Sequence, residues 1–475
     1  MFKSGWKLLP AAFFLLLNFA ASEVKHQFFL RLAYFGFLLA VFFLCRHFRL
    51  DRILSLLSGG IALVLFTHGL LQKFVLFPMI LERQGAAPSF YAQAMRTRVA
   101  SGRVFGIFPL PTLYAMVCGL LLICIIHYLL HARGGARIFW SLLLVLGAGN
   151  LVLTQSFGGI LFFTGGILFY LFASRIFKLK YLAPLLMILA LVLFLVIALR
   201  FSEARELTPA KLRFANWMQA GRLVAASPLL GVGLGNYETS VPAQVLPGEP
   251  ESIYAHNFFL QMAAETGLPL FFLLLVICWS FFKNNLVNLL RPENALFAAA
   301  CILLLFFNFF DVGVYFFAAG ISFTLAFSQV VAAEGPARPR HFVVVVLLAA
   351  ALLLSEIGNN RQKSGDLWLS RQDLARAEVA YRGALKLDPF AYRAWLGLAH
   401  IAWQRQDLAQ AELAGREVLR IYPRQPYANY LLSLAAWRRG AFLTALFHAR
   451  QAAIASKRNR EYLRWHEHIQ GSFTQ

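Results

Sequence analysis

The sequence predicts an all-α protein: a polytopic helical membrane domain with about eleven spans at residues 1–357, then an α-solenoid repeat domain at 358–475. Two observations lead to this fold class. Of the 475 residues 59% are hydrophobic, and 47 are phenylalanine, more than a soluble domain buries, so most of the chain belongs in a bilayer. After residue 358 the composition becomes that of a soluble helical protein, and a repeat of 34 residues begins.

Eleven apolar runs approach the length of a membrane-spanning helix. They are 8–22, 28–45, 53–72, 109–131, 138–154, 157–174, 181–200, 257–282, 294–310, 314–333 and 341–357. The first run follows the basic start MFKSGWK and resembles a secretory signal peptide. We interpret it as an uncleaved first span, because the topology is most consistent when this run crosses the membrane.

The basic residues indicate the orientation of these runs. They cluster in alternate connections, for example at Arg46, Arg49 and Arg52, and are sparse in the other short connections. By the positive-inside rule the N-terminus is cytoplasmic, and the C-terminal repeats lie in the periplasm of a bacterium with two membranes. The sequence thus predicts a multi-pass protein of the inner (cytoplasmic) membrane, in contact with membrane lipids. The net charge of +22 follows from this topology, so no nucleic acid is expected as a partner.

No metal or cofactor is expected. The five cysteines lie in apolar runs, without the paired spacing of a disulfide framework and without a Cys/His cluster for zinc. No Asp-x-Asp occurs in the chain, which argues against an enzyme that uses a nucleotide sugar with a bound divalent metal.

Arginines also occur in two long outer loops, at 73–108 and in the large periplasmic loop at about 200–256. They do not contradict the positive-inside rule, because long loops are translocated across the membrane largely regardless of their charge. A guanidinium group binds phosphate or carboxylate in a bidentate manner. The candidates for such binding are Arg103, Arg213, Arg222 and Arg205. The alternative is a solvated loop whose arginines pair with its own acids or with lipid headgroups.

The stretch YAHNFFLQMAAETGLPL, residues 254–270, brings a histidine to the start of the eighth apolar run. His256 and Asn257 would lie at the amino end of its helix, where free N–H groups and the positive pole attract an anion and disfavour a protonated imidazole. A neutral histidine at such a position is a candidate general base. The alternative is an interfacial polar side chain without chemistry.

Two carboxylates accompany this histidine. Glu265 follows His256 by nine residues, or ~13 Å along an α-helix, too far for a direct contact on one helix. Carboxylates in spans face the protein interior, so Glu265 is expected to pair with an arginine or a polar neighbour. Asp311, at the outer end of the ninth run, is the second candidate. For both residues a structural pairing and a direct role stay open.

The glycine-rich stretch SPLLGVGLGNYE, residues 227–238, precedes this histidine. The dinucleotide fingerprint fails because Asn236 takes its third glycine position, and no Lys-Ser/Thr follows for a P-loop. We interpret the stretch as a tight re-entrant turn that lets the backbone approach a ligand.

The C-terminal repeat is visible in the amino-acid sequence itself. DLARAEVAYRGALKLDP (373–389) recurs as DLAQAELAGREVLRIYP (407–423), and a weaker copy begins at 441. The period resembles that of the tetratricopeptide repeat, a stacked helix–turn–helix unit. Residues 361–475 contain 18 basic and nine acidic side chains, a net charge of +9. An acidic glycan, an anionic headgroup or an acidic protein partner could dock there, or the domain is a passive assembly unit.

Taken together, these motifs resemble the O-antigen ligase and O-antigen polymerase superfamily, which includes bacterial O-linked oligosaccharyltransferases. The resemblance covers most of residues 100–310. It rests on RVFGIF (103–108), Arg213 with Trp217, PLLGVGLGNY (228–237), HNFFLQ (256–261) and Glu265-Thr266-Gly267.

The resemblance implies a GT-C-type integral-membrane glycosyltransferase. The donor would be a glycan on undecaprenyl pyrophosphate, and the acceptor lipid A–core, a growing glycan or a protein hydroxyl. His256 would be the catalytic base. The residues expected to bind the pyrophosphate or the glycan are Arg103, Arg213, Arg222, Arg205, Asn257 and Glu265. The alternatives are a protein O-oligosaccharyltransferase, or a non-enzymatic transporter or scaffold for lipid-linked glycans.

Overall fold

The computed structural model of the chain describes residues 9–48, 50–82, 98–176, 208–246, 248–250, 252–331 and 339–472, with Met187, Phe194 and Ala198. Within these ranges every regular element is a helix. Seven of the helices are long and apolar enough to cross a membrane, which fits the predicted multi-pass membrane protein.

Seven helices lie within the described part of the first half of the membrane domain. They are α1 (Leu9–Ala21), α2 (Lys25–Cys45), α3 (Asp51–Leu71), α4 (Phe77–Glu82), α5 (Pro111–His131), α6 (Gly135–Leu153) and α7 (Phe157–Ala173). A π-helical turn, Gln72–Leu76, joins α3 to α4 without a break. The second half contains α8 (Thr208–Ala226), α9 (Phe258–Thr266), α10 (Leu268–Leu289), α11 (Ala295–Phe310), α12 (Phe317–Val330) and α13 (Pro339–Ser370).

The predicted count of eleven spans stays a prediction. The predicted runs 8–22, 157–174 and 314–333 form helices of 13, 17 and 14 residues. These are shorter than the ~20 residues that cross the hydrocarbon core. The run 181–200 lies outside the described residues, apart from three isolated positions.

The prediction of one span over 257–282 is wrong. The chain forms two helices there, α9 and α10, which meet at Gly267. Gly267 has φ +76, and a Cβ atom would lie 2.4 Å from the carbonyl oxygen of Leu229. Only glycine tolerates this conformation and this approach, and Pro269 favours the first turn of the next helix.

Helix α5 lies at the centre of the membrane domain and packs against α6, α7 and α11. Its side chains Tyr114, Met116 and Ile123 are fully buried. A second group of helices, α2, α12 and α13, packs at one side of this core. The loops that connect these helices, rather than the helices alone, carry the candidate site.

The C-terminal helices show the 34-residue period directly. They are α14 (Leu374–Leu385), α15 (Tyr392–Gln404), α16 (Leu408–Ile421), α17 (Pro426–Arg438), α18 (Phe442–Ala455) and α19 (Arg460–Gly471). The turns before α14, α16 and α18 contain residues with positive φ at Gln372, Gln406 and Gly440, each 34 residues after the last. Each helix packs against the next. Helix α13 runs without a break across residue 358, so the last apolar run and the first repeat helix are one element.

The repeat helices dock on the membrane domain at two connections. Val24, between α1 and α2, is fully buried in a cluster with Tyr392 and Tyr422, and His26 Nε2 lies 2.8 Å from Asp388 Oδ2. The second connection is the one-turn helix Tyr237–Ser240. The Tyr422 hydroxyl donates to the Thr239 carbonyl oxygen, and Arg393 forms an ion pair with Glu238.

Candidate functional site

His256 and Asp311 form a pair where the start of α9 meets the end of α11. His256 Nδ1 lies 3.2 Å from Asp311 Oδ1. The histidine side chain is 25% exposed and the aspartate side chain 3% exposed. The imidazole thus contacts a buried carboxylate through Nδ1 and is partly accessible to solvent. His256 has φ +50, an uncommon conformation for a residue with a side chain, and such conformations occur often at functional sites.

Asp311 is held by three donors around its buried carboxylate. Besides the His256 ring, the Val312 N–H donates to Oδ1 at 2.9 Å, and the Thr112 hydroxyl donates to Oδ2 at 3.1 Å. Burial raises the pKa of the carboxyl group, but the hydrogen bond and charge of His256, the Val312 N–H and the charge of Arg213 together bring the pKa below its ordinary value. The carboxylate is therefore ionised and accepts a hydrogen from Nδ1, so in the neutral form of the imidazole the proton acceptor is Nε2.

Helix α8 brings Arg213 and Trp217 to this pair. The two residues are four positions apart, so they share one face of the helix. The Trp217 indole N–H donates to the His256 carbonyl oxygen at 3.2 Å, and the charge of Arg213 acts on Asp311. Arg213 is half-buried. The structure thus brings together His256 and Asp311, with Trp217 bonded to the His256 backbone and the charge of Arg213 acting on Asp311.

Asn257 caps the helix that follows His256. Its side-chain oxygen accepts from the Leu260 N–H at 2.9 Å, and its amide nitrogen donates to the Phe309 carbonyl oxygen at 2.9 Å. This N-cap ties α9 to the end of α11. Asn257 therefore positions His256, and its contact with a substrate stays a prediction.

Glu265 lies inside the protein, 1% exposed. Its Oε2 accepts from the Gly235 N–H at 2.7 Å and from the Tyr315 hydroxyl at 2.6 Å, and its Oε1 accepts from Gln261 at 3.1 Å. The expected pairing with polar neighbours is thus observed. Three protein donors surround the buried carboxylate, and its contact with a substrate stays a prediction.

The glycine-rich stretch forms a tight turn that lies against the end of α9, and its approach to a ligand stays a prediction. The Val232 and Gly233 N–H groups donate to the carbonyl oxygens of Ala264 and Glu265 at 3.0 and 2.9 Å. A Cβ atom at Gly231 would lie 2.4 Å from the Glu265 carbonyl oxygen. The glycines therefore allow the turn to lie against the end of α9.

Asn18 of α1 holds this turn from the other side. The residue is fully buried, and its side-chain oxygen accepts from the Leu234 N–H at 3.0 Å while its amide nitrogen donates to the Glu265 carbonyl oxygen at 2.7 Å. The first apolar helix is thus joined to the segment between α8 and α9. Sequence reasoning missed Asn18, since a single asparagine in an apolar run has no pattern of its own.

Of the remaining candidate arginines, Arg222 and Arg103 lie among the described residues. Arg222 pairs with Glu249 and donates to the Gln244 carbonyl oxygen at 3.0 Å. This internal ion pair is what the alternative of a solvated, self-paired loop predicts, and the phosphate contact of Arg222 stays a prediction. Arg103 donates from Nε to the Thr154 carbonyl oxygen at 3.1 Å. Arg205 lies outside the described residues.

Gln72 holds the loop that contains Arg103. The glutamine lies in the π-helical turn after α3, and its side-chain oxygen accepts from the Phe105 and Gly106 N–H groups, both at 2.9 Å. Its amide nitrogen donates to the Gly106 carbonyl oxygen at 3.1 Å. π-Helical turns occur often near functional sites. No pattern in the sequence indicates this turn.

The described residues contain no group of three or more His, Cys, Asp or Glu side chains placed to hold a metal ion. Residues 142–275 match a family model described as O-Antigen ligase (Wzy_C). The matched segment includes Arg213, Trp217, the glycine turn and His256. No curated protein matches the chain.

Proposed function

We propose that the protein is an integral-membrane glycosyltransferase that moves a glycan from undecaprenyl pyrophosphate to an acceptor hydroxyl at the periplasmic face. The observation that carries the proposal is the His256–Asp311 pair beside Arg213, with the histidine and the arginine inside the segment similar to O-antigen ligases. This family similarity suggests a membrane glycosyltransferase of the ligase or polymerase type. The acceptor class, whether lipid A–core, a growing glycan or a protein hydroxyl, is a further choice within the proposal.

In the proposed reaction His256 is the general base. The acceptor oxygen attacks the anomeric carbon of the donor sugar, its proton passes to Nε2, and the bond from that carbon to the pyrophosphate oxygen breaks with inversion. The buried carboxylate of Asp311 keeps Nδ1 protonated and stabilises the imidazolium that forms. The step is balanced, since the acceptor loses one proton and the pyrophosphate leaves with the bonding electron pair.

Arg213 is the arginine that the geometry supports best for the leaving group. Its charge acts on Asp311, the partner of the proposed base, so it would meet the charge that develops on the pyrophosphate. Arg103 and Arg205 are proposed to assist from the neighbouring loops. We also propose that the helices after α13 are tetratricopeptide repeats in the periplasm, as the charge distribution of the loops supports.

The direct test uses purified protein in nanodiscs with an undecaprenyl-pyrophosphate-linked glycan and a panel of lipid A–core, glycan and protein acceptors. Transfer is expected without ATP, nucleotide sugar or divalent metal, with release of undecaprenyl pyrophosphate. A protein that moves the intact lipid-linked glycan between leaflets, yet forms no glycosidic product with any acceptor, would be a transporter and would overturn the proposal.

Replacing Arg213 by alanine is expected to raise KM for the lipid-linked donor and to lower kcat. Hydrogen bonds to charged groups contribute about 1.5–3 kcal/mol, which corresponds to about a 10- to 100-fold loss in kcat/KM. Lysine at this position should recover part of the loss, as a charge without the bidentate geometry. Lys211→Ala is the matched control, because Lys211 is an exposed cation on the same helix. Equal losses in both variants would indicate a general effect of charge.

A further inference from the structure

A groove of about 480 Å³ lies on one face of the repeat helices. Nearly all its lining residues come from three alternate helices, α13, α15 and α17 with the turn before it, as expected for one face of a stacked repeat. Among the polar and aromatic residues that line it are Gln362, Asp366, Tyr392, Arg393, His400 and Tyr427. These side chains offer hydrogen-bond donors, acceptors and aromatic rings along one surface.

The groove is close to neutral, although the repeat region has a net charge of +9. Its arginine, Arg393, is paired with Glu238 of the membrane domain. Burial lowers the pKa of His400, which favours the neutral ring, and Asp366 accepts hydrogen bonds from Gln362 at 2.9 Å and from Tyr381 at 2.7 Å. A polyanion would find little unpaired positive charge here, so the acidic partners expected from the net charge do not fit this face.

Aromatic rings continue from the groove across the next helices. The centroid of the His400 ring lies 5.7 Å from Tyr427, Tyr427 lies 6.5 Å from Tyr430, and Tyr430 lies 4.9 Å from Tyr462. Tyr427 and Tyr430 are half-buried. Aromatic residues with one apolar face and one polar end suit ligands that have both kinds of surface. Such a row offers successive platforms for a ligand made of repeated flat units.

We propose that this groove and its row of rings bind a neutral oligosaccharide. Sugar rings present C–H faces to aromatic side chains and hydroxyl groups to amides, carboxylates and histidine, which matches the chemistry of this surface. A neutral peptide would need apolar pockets, and the aliphatic side chains that line the groove are Leu369 and Leu396. The assignment of this glycan to the donor or to the acceptor rests on the proposed function. The binding of an oligosaccharide by the groove does not depend on that function.

The groove adjoins the segment that leads to the base. Arg393 lines it and also pairs with Glu238, and Glu238 follows the glycine turn that lies against α9. A glycan held in the groove would stay near the membrane domain between transfer events. Retention of this kind raises the effective concentration of the glycan at the proposed catalytic site without a new contact to the reacting atoms.

The test measures binding to the purified full chain in nanodiscs by isothermal titration calorimetry. The two probes are the neutral oligosaccharide released by mild acid from the lipid-linked donor, and the neutral oligosaccharide fraction of the cell's own lipid A–core. Saturable binding of either probe is expected, and the probe that binds identifies the source. Tyr427→Ala should weaken binding about 3- to 10-fold, the range expected for one aromatic contact.

Tyr430→Ala is the second variant, because Tyr427 also contacts His400 and its loss could disturb the fold. Phe447→Ala is the matched control, since it removes a 58% exposed ring from α18. No binding of either probe, or equal weakening in the control, overturns the proposal, and so does binding of neutral peptides instead of sugars. His256→Ala separates the two proposals, because this variant should bind the probe normally although its transfer is reduced. A protein that transfers glycan but binds neither probe would refute glycan binding in the groove and leave the proposed function intact.

Discussion

His256→Ala is expected to reduce glycan transfer by about 10²- to 10⁴-fold, the usual contribution of a positioned general base. The imidazole is partly exposed and its Nδ1 is fixed by Asp311, so Nε2 is the atom available to an acceptor hydroxyl. The loss should appear in kcat, because the base acts while the bond to the acceptor forms. The measurement is transfer by purified protein at saturating donor and acceptor.

The control for this variant is His131→Ala, which removes an exposed imidazole from the far end of α5. Both variants should reach wild-type levels in the membrane, since neither ring is buried. Transfer by His256→Ala within a few-fold of wild type would remove the histidine from the chemistry and leave the pyrophosphate contacts as the main source of the rate.

Asp311→Asn is expected to have the second-largest effect, with a loss of about 10²- to 10⁴-fold in kcat. The amide can donate to Nδ1, which would place the hydrogen on Nε2 and remove the proton acceptor. It also removes the negative charge that stabilises the imidazolium. Thr112→Val is the matched control, because it deletes the neutral hydrogen bond to Oδ2 of the same carboxylate and should cost less than about 10-fold.

The pH dependence of stability tests independently whether the ionised carboxylate of Asp311 stabilises the folded protein. Its pKa lies below the ordinary value of 3.8, so the ionised carboxylate stabilises the folded protein above pH 3.8. That contribution is lost as the pH falls through the lowered pKa. The difference in unfolding temperature between wild type and Asp311→Asn should thus be constant near neutral pH and shrink below pH 3.8. A difference that stays the same at every pH would show that the charge of Asp311 does not matter for folding.

The long apolar helices and the 34-residue repeat could be predicted from the sequence because both depend on composition and period. The break at Gly267 could not be predicted from hydropathy, since the residues on both sides are apolar. It depends on a close approach between the glycine turn and the end of α9, which is a tertiary contact. The π-helical turn at Gln72 was missed for the same reason.

The candidate base could be identified from its place at a helix start, but its partner could not. Asp311 lies 55 residues further along the chain, and no spacing rule connects two residues on separate helices. Glu265 and Arg222 have internal partners that the sequence alone does not reveal. Each is a charged residue near the site in sequence, yet each is used by the protein itself, because internal hydrogen bonds or an ion pair already satisfy it.

The continuous helix α13 has a consequence for the movement of the repeats. Its 32 residues extend about 48 Å at 1.5 Å per residue, whereas the hydrocarbon core is about 30 Å thick. The part of the helix beyond the length of a span packs against α14, so the last apolar segment and the repeat array form one continuous rigid element. A displacement of the repeats would therefore also move this apolar segment.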